Sequence, residues 1–545
     1  MVPAMLLRAS CVFRIAFPLL AAAISVSPLR AGLQVDYTNL EDNANDYDTS
    51  GANNPLTLNV GGTDTATQSG DLTGTGGIIK IGAGSLTLTG SNTYAGNTTL
   101  NAGTLRLSSL SSFGNGDGIL TINGGTLGNA AVDDVATIFN NVVVTQDFAI
   151  DAQGVSSGTV EFVGDVDLGA AATRTITLTS DGLACFGGIL SGQNLDFVTT
   201  APASQAMFCD TASNTFTGTL RVGAGVSLEL LKVADGIAIS GNLQVDAGGS
   251  VLISNEGQFA PTSHVTINGS AHLSQTSGTN TFATLSGAGA ISADADFADA
   301  NTLEVKSGAF DGTLTENGGT LKLSKTGSGI LTLTGASHYT GGTRIDGGTL
   351  VVNGSISGSA LAINATGTLA GDGTVGALTV ANGGTISPGS SGPGTLTSGA
   401  ETWEAGGTYV WEINDAIGLK GSATDWLSIN GGLALNTSTG NPFTIKITSL
   451  TLTDSLGLAA NFDPAFDYTW ILATAASPIT GFDATHFFID TTGFANAPGS
   501  NRFTLSTNGA NLQLTYSAVP EPAVFGLALA VGLALILFFR ARRLA

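Results

Sequence analysis

Positive charge is scarce in this chain. Lysine and arginine number 18 against 41 acidic residues, a formal net charge of -23 over 545 residues, and outside the two termini the basic residues are scattered. A phosphate backbone is held by clustered Lys and Arg that release its counterions, so nucleic acid is not an expected partner. The acidity favours solubility and attracts cations instead. Histidine is rarer still, with four residues. His338 stands in a turn and His486 sits among Phe482, Phe487 and Phe488, while His264 and His272 flank Asn268-Gly269-Ser270 with hairpin-like spacing. A zinc site needs more ligands and a supporting shell, so neither a metal centre nor a cofactor is expected there. Of three cysteines, Cys11 belongs to an apolar leader. Cys185 and Cys209 remain as a candidate disulfide, which requires Cα atoms within about 7 Å, as on stacked coils, and an oxidising compartment. Charged residues make up 11%, yet 42% of residues are hydrophobic and they alternate, which excludes disorder despite 76 glycines.

What the chain does have is a repeat. KTGSGILTLTGASHYTGGTRIDGGTLVVNG, Lys325 to Gly354, aligns without a gap on KIGAGSLTLTGSNTYAGNTTLNAGTLRLSS, Lys80 to Ser109. Leu331 and Leu333 alternate with Thr332 and Thr334, as Leu86 and Leu88 do with Thr87 and Thr89, the period of a half-buried strand. A Gly/Asn/Thr turn follows, then a second strand carrying Ile345, Leu350 and Val352, or Leu100, Leu105 and Leu107. Two short strands and two turns make about 20 to 25 residues, the size of one solenoid coil. One coil cannot bury its leucines; stacked coils can, at roughly 1.5 to 3 kcal/mol per enclosed Leu or Ile. The expected fold is therefore all-β, a parallel β-helix or β-solenoid.

The two copies resemble the autotransporter-associated β-strand repeat, through Gly84, Leu86, Leu88, Tyr94, Gly96, Thr98, Gly103 and Leu105 in the first and Gly329, Leu331, Leu333, Tyr339, Gly341, Gly348 and Leu350 in the second. Ser337 stands where the pattern has Asn, as Asn92 does in the first copy. Gly367 to Thr397 looks like the closing stretch of such passengers. The resemblance implies a passenger architecture carried outside the cell. It implies no single chemistry.

Five segments are expected. Residues 1–31 carry Arg8, Arg14, an apolar run and a small-residue cut site, the layout of a secretory signal. Residues 32–55 form an acidic segment, read as a solvated loop over Glu41 to Ser50. Within it Asp46-x-Asp48-x-Ser50-Gly51 opens like a calcium loop, although its twelfth position falls on Thr57, which lacks a carboxylate. Residues 56–400 are the solenoid. Residues 401–517 hold Trp403, Trp411, Trp426 and Trp470, all the tryptophans of the chain, and are read as a β-module capping the solenoid's exposed strand edges. A carbohydrate-binding face built from these tryptophans is the alternative. Residues 518–545 run Val519-Pro520-Glu521-Pro522, about 17 apolar residues to Phe539, then Arg540, Arg542 and Arg543. As a helix the apolar run spans roughly 25 Å, enough for a transmembrane segment with its C-terminus in the cytoplasm.

This tail resembles the PEP-CTERM sorting signal, which implies export, transient anchoring in the inner membrane, cleavage by an exosortase-like enzyme near Pro520 to Pro522, and release to the surface or extracellular matrix of a bacterium with an outer membrane. Autotransporters end instead in a membrane β-barrel of alternating strands, so self-secretion is not expected here.

Solenoids also host polysaccharide hydrolases and lyases. Asp133-Asp134 resembles the paired aspartates of polygalacturonase-like enzymes, but no Gly-His-Gly occurs, and Arg344-Ile345-Asp346 ends in an acid where that family has lysine. Asp294, Asp296 and Asp299 could hold calcium, yet no Arg or Lys follows before Lys306, as a lyase would want. The expected function is that of an exported structural or adhesion-type protein meeting extracellular polysaccharide or like copies. The alternatives are a solenoid polysaccharide-degrading enzyme and a carbohydrate-binding protein held permanently in the membrane.

Overall fold

In the strand Thr104–Leu107, Leu105 and Leu107 are fully buried while Thr104 and Arg106 face outward, as the period-two geometry of a strand requires. Four residues cannot enclose their own leucines. The strand therefore pairs in parallel with Ser85–Leu88 one coil back and Thr126–Asn129 one coil on, so that Leu86, Leu105 and Leu127 stack in register. This is the building rule of the computed structural model, which describes residues 32–108, 113–153, 158–170, 173–275, 278–294, 300–496 and 502–518. The fold of the described residues is an all-β parallel solenoid organised as two compact units that divide between Leu323 and Ser324.

The first unit winds over three faces. One runs from Gln34–Tyr37 through Leu56–Val60, Ile78–Ile81 and Thr98–Leu100 to Leu190–Ser191; a second contains Glu41–Asn43, Thr65–Gln68 and Ser85–Leu88 and continues to Ala300–Phe310; the third runs from Val135–Ile138 to Thr313–Asn317. The pairs are parallel throughout, and bonded residues on neighbouring coils are typically 20 to 24 apart. The acidic segment is not a solvated loop: Glu41–Asn43 and Tyr47–Asp48 are strands that pair with Thr65–Gln68 and Leu72–Thr73. Its acids lie on outward positions of a winding, where water solvates them as well as it would in a loop. His264–Ile267 and Ser270–Leu273 do not form a hairpin either. They are successive strands on different faces, each paired with its own neighbours above and below.

The second unit stacks Ile330–Leu333, Gly348–Val352, Gly367–Gly371, Thr385–Pro388, Thr408–Ile413 and Phe443–Ser449 in parallel. The tryptophan-rich stretch continues these ladders: Glu401–Glu404 pairs with Leu378–Val380, and Trp426–Ile429 with Thr395–Ser398. The parallel order then gives way to antiparallel pairing of Tyr468–Ala475 with Asn511–Tyr516 and of that strand with Phe503–Asn508. Antiparallel strands supply the edge groups that a further coil would have bonded. Gly103 and Gly348, equivalent in the two repeats, hold φ of 72° and 63° at the coil corner, the left-handed region where a side chain is strained.

Among the described residues no helix is long and apolar enough to cross a membrane. The apolar run expected to do so, with Val519, Pro520, Glu521, Pro522, Arg540, Arg542 and Arg543, lies outside the described residues, as does the leader of residues 1–31.

Candidate functional site

The repeat residues prove to be interior fittings. Tyr94 and Tyr339 are buried, and each hydroxyl meets a threonine hydroxyl four residues on, Thr98 or Thr343, at 2.6 Å in both copies. A buried phenol needs such a partner. Gly96 lies so close to the coil beneath that an added Cβ would sit 2.3 Å from the carbonyl carbon of Gly76. Sequence reasoning passed over Lys80 and Lys325, which are fully buried at equivalent positions. Lys80 Nζ donates to the carbonyls of Ile81, Gly82 and Ala102 at 2.7, 3.0 and 3.3 Å. Lys325 Nζ donates to those of Thr326, Gly327 and Gly347 at 2.7, 3.1 and 2.9 Å. Burial pulls the Lys80 ammonium down to about 8 and shifts Lys325 the same way. The signal was present: both copies begin with lysine in a chain poor in basic residues.

The outer faces carry polar side chains in register. Thr175, Asp196, Arg221, Gln244, Thr266 and Ser286 stand on six successive coils of the first unit. Arg221 bridges Asp196 at 3.4 Å and Asp246 at 2.5 Å. Arg106 reaches past Gly128, which has no side chain, to Asp151 two coils on at 2.6 Å. The better-formed surface depressions among the described residues are small. One of about 190 Å³ is lined by Asn92, Phe113 and Phe139, and one of about 270 Å³ by Pro202, Gln205, Ser227 and Ser250. Both fall below the roughly 300 Å³ at which ligand pockets begin.

The tryptophans do not form an open platform. Trp403 and Trp411 are fully buried and Trp470 is 6% exposed. Trp403 stacks on Phe443 at 4.6 Å, and Trp411 packs 5.6 Å from Trp470. Only Trp426 reaches the surface, under the Lys420 ammonium at 3.8 Å. Beneath Trp403 the carboxylate of Glu401 accepts from the indole Nε1 at 2.8 Å and from the Ser398 hydroxyl at 2.6 Å, and burial pushes it up to about 7. Burial also raises Asp425, which accepts from the amides of Gly394 and Glu412.

The candidate enzyme and cation residues are occupied locally. Asp133 takes a left-handed turn with φ of 65°, and Asp134 accepts from the amide of Val135. Arg344 is ion-paired with Asp346 at 3.0 Å. Asp46 and Asp48 accept from the amides of Asp71 and Ser50, while Thr57 lies in a strand paired with Gln34. Asp296 and Asp299 fall outside the described residues. Among the described residues no three His, Cys, Asp or Glu side chains are grouped to hold a metal.

Cys185 and Cys209 are both thiols, on neighbouring coils of the third face, with Sγ atoms 2.9 Å apart. Their mutual hydrogen bond pushes the Cys185 thiol up and pulls Cys209 down. Buried Lys232, whose Nζ donates to the carbonyls of Gly187 and Gly188, favours the thiolate further.

Two segments of this solenoid, residues 78–107 and 323–352, match the passenger-associated-transport-repeat family. Over 205 residues, 37% of the chain, it is 31% identical to the adhesin BmaC autotransporter of Brucella suis biovar 1 (strain 1330), of which it spans 5%. Over 178 residues, 29% of the chain, it is 33% identical to an extracellular serine protease of Serratia marcescens, of which it spans 16%. The chain thus spans only a small part of the length of each relative.

Proposed function

We propose that this chain is an exported surface or extracellular-matrix protein that works by adhesion through its outer faces. One observation carries the reading: the interior is closed by leucines, aromatics and seated polar groups, whereas the outward positions repeat hydroxyl, amide and charged side chains in register from Thr175 to Ser286. Such a face offers a polar side chain about every 4.8 Å, which suits an extracellular polysaccharide or a second copy of the chain. The similarity to an adhesin supports this reading. Exposing the purified chain to a panel of polysaccharides should give saturable, stoichiometric binding without release of shortened products; product release without such binding would favour the polysaccharide-degrading alternative.

For routing, the motif Val519-Pro520-Glu521-Pro522, the apolar run and the arginines support transient anchoring in the inner membrane and cleavage by an exosortase-like enzyme. Replacing Pro520-Glu521-Pro522 should enlarge the cell-associated protein by the uncut tail. An unchanged size would leave a plain membrane anchor.

An exported protein meets oxidants, and the cysteines are positioned for that. We expect a thiol–disulfide oxidoreductase or oxidised glutathione to join Cys185 to Cys209, the two thiols yielding two electrons and two protons to the donor disulfide. Closing this 24-residue separation should add about 3 kcal/mol to stability. Thiol titration of the unfolded protein before and after oxidation, with Cys209→Ser as control, checks it. Retention of both thiols would refute it.

A further inference from the structure

The third face of the first unit carries a group of side chains that the adhesive reading leaves unused. Ser270 and His272 are two apart on the strand Ser270–Leu273, so both point outward. On the next coil, Ser292 stands opposite His272, and Asp294 follows on the same side. Ser270 Oγ lies 3.1 Å from His272 Nε2, and His272 Nδ1 lies 3.2 Å from Asp294 Oδ2. The Ser292 hydroxyl donates to Asp294 Oδ1 at 3.0 Å and faces His272 Nδ1 with its oxygen, also at 3.0 Å. Asn317, one coil further, approaches Asp294 Oδ1 at 3.4 Å. Two acceptors therefore face Nδ1, which fixes its proton there and leaves Nε2 to accept from Ser270. The imidazole is 37% exposed and the carboxylate 21%, so the group is open to solutes. Ser250, the register neighbour of Ser270, lines the shallow depression that also holds Ser227 and Gln205.

A hydroxyl bonded to a ring nitrogen, with the other ring nitrogen held by a carboxylate, is the arrangement of an activated serine. We propose that Ser270 is a nucleophile toward carboxylic esters, with His272 as its base and Asp294 as the positioning residue. Ser270 Oγ bonds to the carbonyl carbon as its proton passes to His272 Nε2. The carbon–oxygen bond to the alcohol breaks, and His272 returns the proton to the leaving oxygen. Water, deprotonated by the same imidazole, then releases the acid and restores Ser270. The Ser270 amide is committed to the Gly249 carbonyl, so it offers no donor to the developing oxyanion. Loss of one such donor costs about 10²- to 10³-fold in rate, which favours activated esters over peptides as substrates.

The test treats the full chain with a fluorophosphonate probe and maps the labelled peptide by mass spectrometry, alongside hydrolysis of p-nitrophenyl acetate. Label should concentrate on Ser270, vanish in Ser270→Ala, and fall at least tenfold in His272→Ala and several-fold in Asp294→Asn, with hydrolysis following the same order. These side chains are surface groups, and circular dichroism of each variant reports its fold. Label spread evenly over the serines of this face, no label at Ser270 in the unaltered protein, or hydrolysis that survives Ser270→Ala would overturn the proposal.

Discussion

Raising the pH from about 5 to 8 is expected to cost the second unit about 3 kcal/mol through Glu401. Its carboxyl, ordinarily near 4.5, is raised to about 7 by burial against Trp403. A group raised in the folded state stabilises fully below its unfolded value, and that contribution is lost as pH climbs through the folded one. Asp425, raised by burial, and Glu412, raised by burial and by Asp454, act in the same direction. All four tryptophans lie in this unit, so their fluorescence during denaturant unfolding reports it directly. Glu401→Gln keeps an acceptor for the Trp403 indole and turns its amide NH2 toward the Ser398 hydroxyl oxygen while abolishing the titration; a pH slope unchanged in this variant would refute the assignment. Trp403→Ala should cost about 3 to 5 kcal/mol at any pH, since it removes a fully enclosed indole and takes away one of the donors to the Glu401 carboxylate.

Lys80→Met and Lys325→Met should each lower stability by about 3 kcal/mol, read as a drop in thermal midpoint. Methionine can follow the aliphatic stem, but it removes the ammonium donor that three carbonyls share in each copy, and hydrogen bonds from a charged donor are worth about 1.5 to 3 kcal/mol. The pH profile separates this from lost packing. Desolvation depresses both ammonium groups, so the unaltered protein gains stability as pH rises from about 8 toward the ordinary lysine value of 10.5. The Lys80→Met variant should lose its share of that gain. If both variants melt like the parent, the carbonyl seats contribute nothing.

The leucine alternation was fully legible, because a period of two speaks through any four-residue strand: Leu86, Leu88, Leu331 and Leu333 all face inward. Partnerships between coils were not. His272 and Asp294 are 22 residues apart, and only the register brings them together. The tyrosines were visible as motif letters, yet their bonds to Thr98 and Thr343 depend on how the corner folds. Glu41 to Asp48 misled because acids on an outward strand and acids in a loop have the same composition. The tryptophans misled for the opposite reason: a large ring can serve a ligand or a core, and the buried Glu401 that holds the Trp403 indole lies only two residues away.

Register has one more consequence. Because Leu105 meets Leu86 on one side and Leu127 on the other, each turn of chain offers its successor the same template that it received. Duplicating or removing a complete period leaves every remaining contact type intact, whereas inserting a single residue into Thr104–Leu107 would turn its leucines to the solvent. Length in such an architecture can change by gene-level copying of whole periods, and the near-identical layouts around Lys80 and Lys325 fit that mode of growth.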